Sequence, residues 1–485
     1  MEDLNHRQRV VVLHALRPTS RQTTTDHLLS FREHLPYADV QYLHFSQPLP
    51  AQLTDVEVDL LIINYDFLNY RFTALWPYIK NRHLEIARKA KKTVAIAQDD
   101  FWANKHLDDW CMHWKVDRIL AAIDSDLDIL YPRSVRTKEI KTALTGYVRT
   151  SASAPSAPIV QRPIDLGQRV REMPPHLGRL AQAKARQAVA MAEAATNAGY
   201  IVDVSTHVED SFLGEDWMRF LRRCKFTVGM KGGASLNDPR GRIHTKVQAY
   251  KMRFPHASFD DIEQHCFPGK DGKHEFTAIS PRLFEAAAAG ACQILQRDDY
   301  LGVLEPWRDY IPLERDFSNM SDVLAAMKDL EQAQEIADSA YSSLVVSGMF
   351  DYKQLVHDAT NNLLTPSSCS DSVVQWNSFC NFLSASAHAQ LNVSADLHDA
   401  SLHLINEILL RMSSRQVEHL EAHLASDSVD TWIEQEKISR PEAVAISTVM
   451  RELKRNNCVD WFILMMRNSR ADSNSLRSVW AWRTL

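Results

Sequence analysis

The stretch Ile279-Ser-Pro-Arg282-Leu-Phe-Glu285-Ala-Ala-Ala-Ala-Gly290-Ala-Cys-Gln-Ile-Leu295 gathers the residue types that a charged, hydroxyl-rich ligand would need. Ser280 suits a helix cap, Pro281 the first helical position, and Gly290 the end of a very short helix before an apolar strand. A helix starting at the carboxyl edge of a sheet presents free N–H groups and a positive dipole end, which suits a diphosphate. Glu285, one turn in, is placed to accept hydrogen bonds from ribose hydroxyls, and Arg282 to meet the anion. The same residues equally describe a capped structural helix with a surface glutamate.

Three further places carry chemistry-bearing residues. In Gly229-Met-Lys-Gly-Gly233-Ala-Ser235-Leu-Asn-Asp238-Pro-Arg240-Gly241, the glycines allow the backbone to approach a ligand, and Ser235, Asp238 and Arg240 supply donors and acceptors. A tight structural loop reads as well. Arg169 and Arg171, with Lys184 near the start of the following helix, could neutralise a leaving diphosphate, or be ordinary solvated charges. Asp99 and Asp100 follow an apolar run and could act as a base toward a hydroxyl, or cap a helix. No P-loop, G-x-G-x-x-G, H-E-x-x-H or G-x-S-x-G occurs. Cys111 and His113 lack partners at zinc spacing, so no metal site is expected.

These residues need a scaffold, and the chain supplies one. Short apolar runs at Arg9–His14, Val58–Asn64, Thr93–Ala97, Ile164–Leu166, Tyr200–Val204, Lys225–Val228 and Cys292–Leu295 alternate with helical stretches such as Asp26–His34 and Leu180–Ala195. That alternation predicts parallel sheets covered by helices, with ligands beyond the carboxyl ends of the strands. Asn64–Asp66 and Gln98–Asp100 would sit there. The Pro- and Ser-rich segment Ser151–Pro158 cannot build a core and marks a boundary. We therefore expect a Rossmann-like domain over 1–150, a second over 159–360, and a helical region over 361–485, where Leu402–Met412, Gln416–Leu424 and Pro441–Leu453 have helical spacing.

With 485 residues, 45% hydrophobic and 24% charged, the chain has the composition of a globular protein of two or three domains. Its net charge of −6 offers no large positive field, and aromatic residues are not interleaved with basic clusters, so no nucleic-acid partner is expected. Seven scattered cysteines without a C-x-x-C pair, and an N-terminus unlike a signal or transit peptide, point to the cytoplasm. No strongly basic amphipathic helix stands out.

From about Val10 to Tyr352 the chain resembles two-domain glycosyltransferases of bacterial surface-polysaccharide (O-antigen or capsule) clusters, related to the spore-maturation glycosyltransferase-like group. The segments that carry the likeness are Gln98–Phe101, Leu144-Thr-Gly-Tyr-Val148, Arg162–Gly167, Gly214-Glu-Asp-Trp217, the Gly229–Gly241 loop, Ile279–Leu295 and Tyr310–Asn319. The resemblance implies the α/β GT-B fold: two Rossmann-like domains facing across a cleft, the first for the acceptor and the second for a nucleotide-sugar donor. It also implies metal-independent transfer with the donor as substrate and no cofactor. The acceptor would be a glycan or lipid-linked glycan, in a peripheral enzyme at the inner face of the membrane, with the C-terminal helices available for oligomer contacts. Glu285 would hold the donor ribose, and Arg169, Arg171 and Lys184 the diphosphate. Two positions depart from the pattern: Thr277 stands where related retaining enzymes carry a second glutamate, with Glu275 nearby, and Lys231 stands where relatives often have glutamate. A non-catalytic GT-B-like binding or assembly protein, and a sugar-nucleotide epimerase of the same fold, are the competing readings.

Overall fold

The computed structural model describes residues 7–16, 20–46, 49, 56–73, 76–149, 157–212, 215–364, 375–381, 383 and 450. Six strands form the first sheet: β1 (Gln8–His14), β2 (Ala38–His44), β3 (Val58–Ile63), β4 (Ala90–Ile96), β5 (Arg118–Ala121) and β6 (Glu139–Thr142). Their order is β2-β1-β3-β4-β5-β6. The second sheet joins β7 (Ile164–Arg169), β8 (Val202–Ser205), β9 (Cys224–Gly229), β12 (Cys292–Gln296) and β13 (Ile311–Leu313) in the order β13-β12-β9-β7-β8. A separate antiparallel pair, β10 (Gly232–Ala234) and β11 (Phe276–Ala278), stands apart from both. The registers of both large sheets are parallel, as in Val10↔Leu60 and Cys292↔Phe226. Two separate parallel sheets flanked by helices are the architecture expected of the GT-B class.

The described residues divide into two compact units, one drawn from Met1–Ser20, Tyr37–Thr93 and Leu364–Leu485, the other from Arg21–Pro36 and Val94–Leu363. In the first unit, β3 is buried along its whole length, as a strand covered on both faces must be. Asp59 within it is 5% exposed and is held by the Lys91 ammonium at 2.8 Å and the Arg9 backbone N–H at 2.8 Å. A helical piece at 375–381 buries Trp376 and Phe379, and the Trp376 indole donates to Asp39 at 2.8 Å. Of the expected C-terminal helices, Leu402–Met412 and Gln416–Leu424 lie outside the described residues, as does Pro441–Leu453 apart from Met450.

In the second unit the helix Arg179–Asn197 lays Ala181, Ala185, Ala188, Met191 and Ala195 inward, a stripe at helical spacing. Small side chains there let the helix approach the sheet, and Ala188, Met191 and Ala195 join a core with Leu166, Phe226, Val228, Ile294 and Ile311. This helix begins just beyond the carboxyl end of β7. The short helix Pro281–Ala288 ends immediately before β12, so its start lies where ligand-binding residues were expected.

Candidate functional site

The helix Pro281–Ala288 forms as its sequence suggests, with Ser280 at the N-cap, Pro281 first, and Gly290 beyond the end at φ 64°. One detail differs: the Ser280 side chain makes no capping bond. The preceding segment is instead tied down from Leu144–Val148. Thr145 Oγ1 donates to the Ile279 carbonyl at 2.8 Å. A Cβ at Gly146 would lie 2.8 Å from Pro281 Cβ, so only glycine lets that segment pass so close.

Glu285 projects from the second turn and keeps part of its surface in water. The Trp217 indole N–H donates to its Oε2 at 2.7 Å, and Arg282 Nη1 reaches the same oxygen at 3.3 Å. Arg282 also sits over Trp217, its Cζ 3.8 Å from the ring centroid, a cation–π contact that helps hold the guanidinium. A cavity of about 260 Å³ opens over this group, lined by Arg21, Phe212, Arg222 and Tyr352 together with Trp217 and Glu285. Burial lowers the pKa of Arg282, against the opposing pull of Glu285.

Lys184 belongs to the same electrostatic group. Its pKa is pushed down to about 8, first by burial and then by repulsion from Arg282 and Arg21. Its Nζ stands 3.6 Å from where a side chain on Gly232 would begin. Lys184, Arg282 and Arg21 thus stand near enough to repel one another, and Arg282 is paired with Glu285. In the free protein Glu285 balances only part of that charge, so an anion is the natural complement.

The other expected residues lie elsewhere or are engaged. Arg169 is fully occupied: its Nη2 meets Asp203 Oδ1 at 2.6 Å, its Nε donates to the Asp210 carbonyl at 3.0 Å, and its guanidinium rests on Phe212 and Phe220. Arg171 is exposed. Gly233 faces the Phe276 carbonyl so closely in the β10–β11 pair that any side chain would collide with it. Ser235 accepts from Leu180 N at 3.1 Å and donates to Asp271 Oδ1 at 2.6 Å, closing the start of the Arg179–Asn197 helix. Asp238 is buried, and its carboxylate accepts from His244 N at 2.8 Å. These bonds give the glycine-rich segment a structural task.

Asp99 is exposed at φ 52°, whereas Asp100 is fully buried. Asp100 Oδ2 accepts from Ala122 N and Tyr131 Oη, both at 3.0 Å, tying the loop after β4 to the loop after β5. The departing positions are also placed: Thr277 lies within β11, Glu275 pairs with Arg315 at 2.8 Å, and Lys231 pairs with Asp298 at 3.1 Å. At the end of β3, Asn64 Nδ2 donates to Asp66 at 3.0 Å, and burial pushes the Asp66 carboxyl up to about 6. Sequence reasoning missed Trp217, Arg21, Arg222 and Phe212 as site residues. Trp217 had a signal, because it stands in the Glu-Asp-Trp segment; the others are brought in only by the fold.

No protein-family model matches the chain, and no curated protein matches it. Solved structures do. HepE from Anabaena, in complex with UDP and glucose, is similar at 9% identity and a TM-score of 0.39, over 72% of this chain and 97% of that one. An alpha-glucosyltransferase in complex with UDP and mismatch-containing DNA is similar at 9% identity and a TM-score of 0.42, over 73% of this chain and 100% of that one. The alpha-glucosyltransferase with UDP-glucose and abasic DNA scores 0.43 at 10% identity, over 73% of this chain and 99% of that one. Those DNA complexes correct one expectation: the exclusion of a nucleic-acid partner does not stand. It rested on whole-chain charge, a sum that conceals local basic surfaces. Among the described residues no helix is long and apolar enough to cross a membrane, and no group of three or more His, Cys, Asp or Glu could hold a metal ion.

Proposed function

We propose that the chain is a GT-B glycosyltransferase that moves a sugar from a nucleotide-diphosphate donor to a hydroxyl of a glycan or lipid-linked glycan. The observation that carries the reading is the Glu285 carboxylate bonded to Arg282 on a short helix, with Lys184 and Arg21 near enough to repel Arg282. Both hydrogen bonds to the Glu285 carboxylate from the described residues end on Oε2, which leaves Oε1 as the acceptor for ribose hydroxyls. Phe212 offers apolar surface to a base, and the cations meet the diphosphate. As the glycosidic bond breaks, negative charge grows on the leaving diphosphate. Fixed cations stabilise that charge more than they stabilise the intact donor, which is the condition for faster transfer.

In this reading the folding units run over 1–150, 159–360 and 361–485, and Asp99 acts on the acceptor hydroxyl. Asp99 suits that role better than Asp100, whose carboxylate already serves Ala122 and Tyr131. The test is a calorimetric and hydrolysis screen of the full chain against UDP-, GDP-, CMP- and TDP-sugars, beside Glu285→Ala. Binding or slow hydrolysis of one donor, lost in the variant, is expected. Silence across the panel from folded protein overturns the proposal in favour of a binding or assembly role.

A further inference from the structure

Between β10 and β11 the chain makes a helical hairpin, in which the helices Arg242–Arg253 and Phe259–Cys266 pack through Ile243, Val247, Ile262 and Cys266. Its two ends meet: Cys266 Sγ lies 3.7 Å from the Lys246 carbonyl, and Gly272 N donates to the Ser235 carbonyl at 3.1 Å. The charges of this insertion divide unevenly. All six of its acids are engaged, Asp238 by His244 N, Asp260 and Glu263 by Arg179, Asp261 by Ser258, Asp271 by Ser235 and Glu275 by Arg315. Arg240, Arg242, Lys246, Lys270 and Lys273 gather at the end where the chain enters and leaves the hairpin; all five are exposed, and none is ion-paired among the described residues. Arg242 stands in the first turn of its helix, where the dipole disfavours a cation, so folding does not call for that charge.

The same end of the hairpin holds the loop after β4. Ala103 N donates to the Asp238 carbonyl and Lys105 N to the Pro239 carbonyl, both at 3.0 Å. The Trp102 ring rests against His244 and His176, its centroid 5.0 Å and 4.7 Å from theirs, and Phe101 stacks on Phe276, itself stacked on His274. Asp99 opens this turn, its carbonyl accepting from Trp102 N at 3.1 Å. Arg240 and Arg242 thus adjoin the Asp99 loop through Asp238 and His244, and Lys273 adjoins it through His274. On the loop after β5, Asp124 and Asp128 are exposed and Asp126 faces His274 at 3.7 Å, which confines the positive field to the insertion. A duplex nucleic acid, charged along its whole surface, would meet those acids as well. A single glycan chain can lay its charged groups on the insertion alone and present a hydroxyl to Asp99.

On the transferase reading of the donor site, we propose that the acceptor is a glycan carrying carboxylate or phosphate groups, held at those groups by Arg240, Arg242, Lys246, Lys270 and Lys273 with its hydroxyl at Asp99. Whole-chain charge conceals such a surface, because the acids that cancel these cations in the sum are spent inside the fold.

The test is affinity electrophoresis of the full chain through gels containing alginate, which carries carboxylates, phosphomannan, which carries phosphates, or neutral dextran. Retardation is expected in the acidic glycans and not in dextran, weakening as salt rises, and the stronger of the two names the anion. Exposed ion pairs contribute about 1.5- to fivefold each, so Arg240→Gln/Arg242→Gln/Lys246→Gln should bind the acidic glycan about tenfold more weakly. Lys251→Gln/Arg253→Gln, at the far end of the helix, should change binding by less than about twofold. If the triple change unfolds the protein, Lys270→Gln/Lys273→Gln gives the same reading at about fourfold. Calorimetry with the donor panel runs alongside and should give the same result for parent and variants. A parent that binds no donor strikes the transferase reading, whereas a folded parent that binds donor but passes unretarded through both acidic glycans strikes the present inference alone. Equal retardation of the folded triple variant, or binding to a duplex DNA fragment in place of the acidic glycans, also overturns it.

Discussion

Lys184 carries a prediction in which stability and binding move in opposite directions. The ammonium is held at a pKa of about 8 against an ordinary 10.5, by burial first and then by Arg282 and Arg21. A shift of that size corresponds to about 3 kcal/mol between the charged and neutral forms. Because Lys184 keeps part of its surface in water, we take ~1–3 kcal/mol as the cost of its charge in the free protein. The sign follows from proton counting. The folded value is the lower one, so the folded chain binds fewer protons than the unfolded chain between pH 8 and 10.5, and stability rises with pH across that window. Below pH 8 the whole cost is present.

Lys184→Met should therefore melt at a higher temperature than the parent at pH 7, and the gap should narrow steadily from pH 8 and close near pH 10.5. The same variant should bind the donor's nucleoside diphosphate about 10–100-fold more weakly at pH 7, the loss expected for one hydrogen bond to a charged group. Calorimetry adds an internal check. At pH 8 about half of the free lysines are neutral, so binding an anion should draw in roughly half a proton, read as a dependence of the heat on the buffer's ionisation enthalpy. Lys184→Met should abolish that dependence. A variant that melts lower than the parent at pH 7, or that binds the nucleotide equally well, refutes the assignment of Lys184 to an anion site.

Three further outcomes are expected. Glu285→Gln should lower donor affinity by about tenfold, while Trp217→Phe should lower it less, since it removes only the indole donor that orients the carboxylate; equal affinities in isothermal titration would remove Glu285 from the site. Gly233→Ala should destabilise by more than ~2 kcal/mol in denaturant unfolding because its new methyl meets the Phe276 carbonyl, and a near-neutral result would mean that β10 and β11 are not paired as described. Asp100→Ala should cost about 1–3 kcal/mol of stability by stranding the Ala122 N–H and Tyr131 hydroxyl, whereas Asp99→Asn should leave stability nearly unchanged and reduce transfer; the reverse pattern would exchange their roles.

Much of the fold was legible because both sheets are parallel and buried. Val10–Leu13 and Leu60–Ile63 are continuous apolar runs, Cys292–Leu295 is broken only by Gln293, and such runs have little alternative to a covered strand. The short helix that carries Glu285 was legible for a local reason, since serine, proline and glycine fix both its ends. Its partners were not. Arg21 and Lys184 are more than 160 positions apart yet both act on one another's charge, and nothing in local pattern records that convergence. The glycine-rich segment left a ligand loop and a structural loop both open, and at Gly233 the neighbouring strand supplies the structural cause, backbone proximity.

Arg169 and Lys184 differ in what already satisfies their charge. Basic residues near a strand–helix turn look interchangeable in sequence, yet Arg169 spends its donors on Asp203 and Asp210 and its faces on Phe212 and Phe220, while Lys184 remains charged at a cost. A guanidinium so satisfied gains little from a ligand and would have to surrender those bonds to reach one. It can still serve the site, because Phe212, on which it rests, lines the cavity over Glu285. The unsatisfied cation is the better candidate for binding, since an arriving anion relieves a repulsion already present in the free protein. In the proposed reading Lys184 and Arg282 meet the diphosphate, and Arg169 holds the aromatic wall.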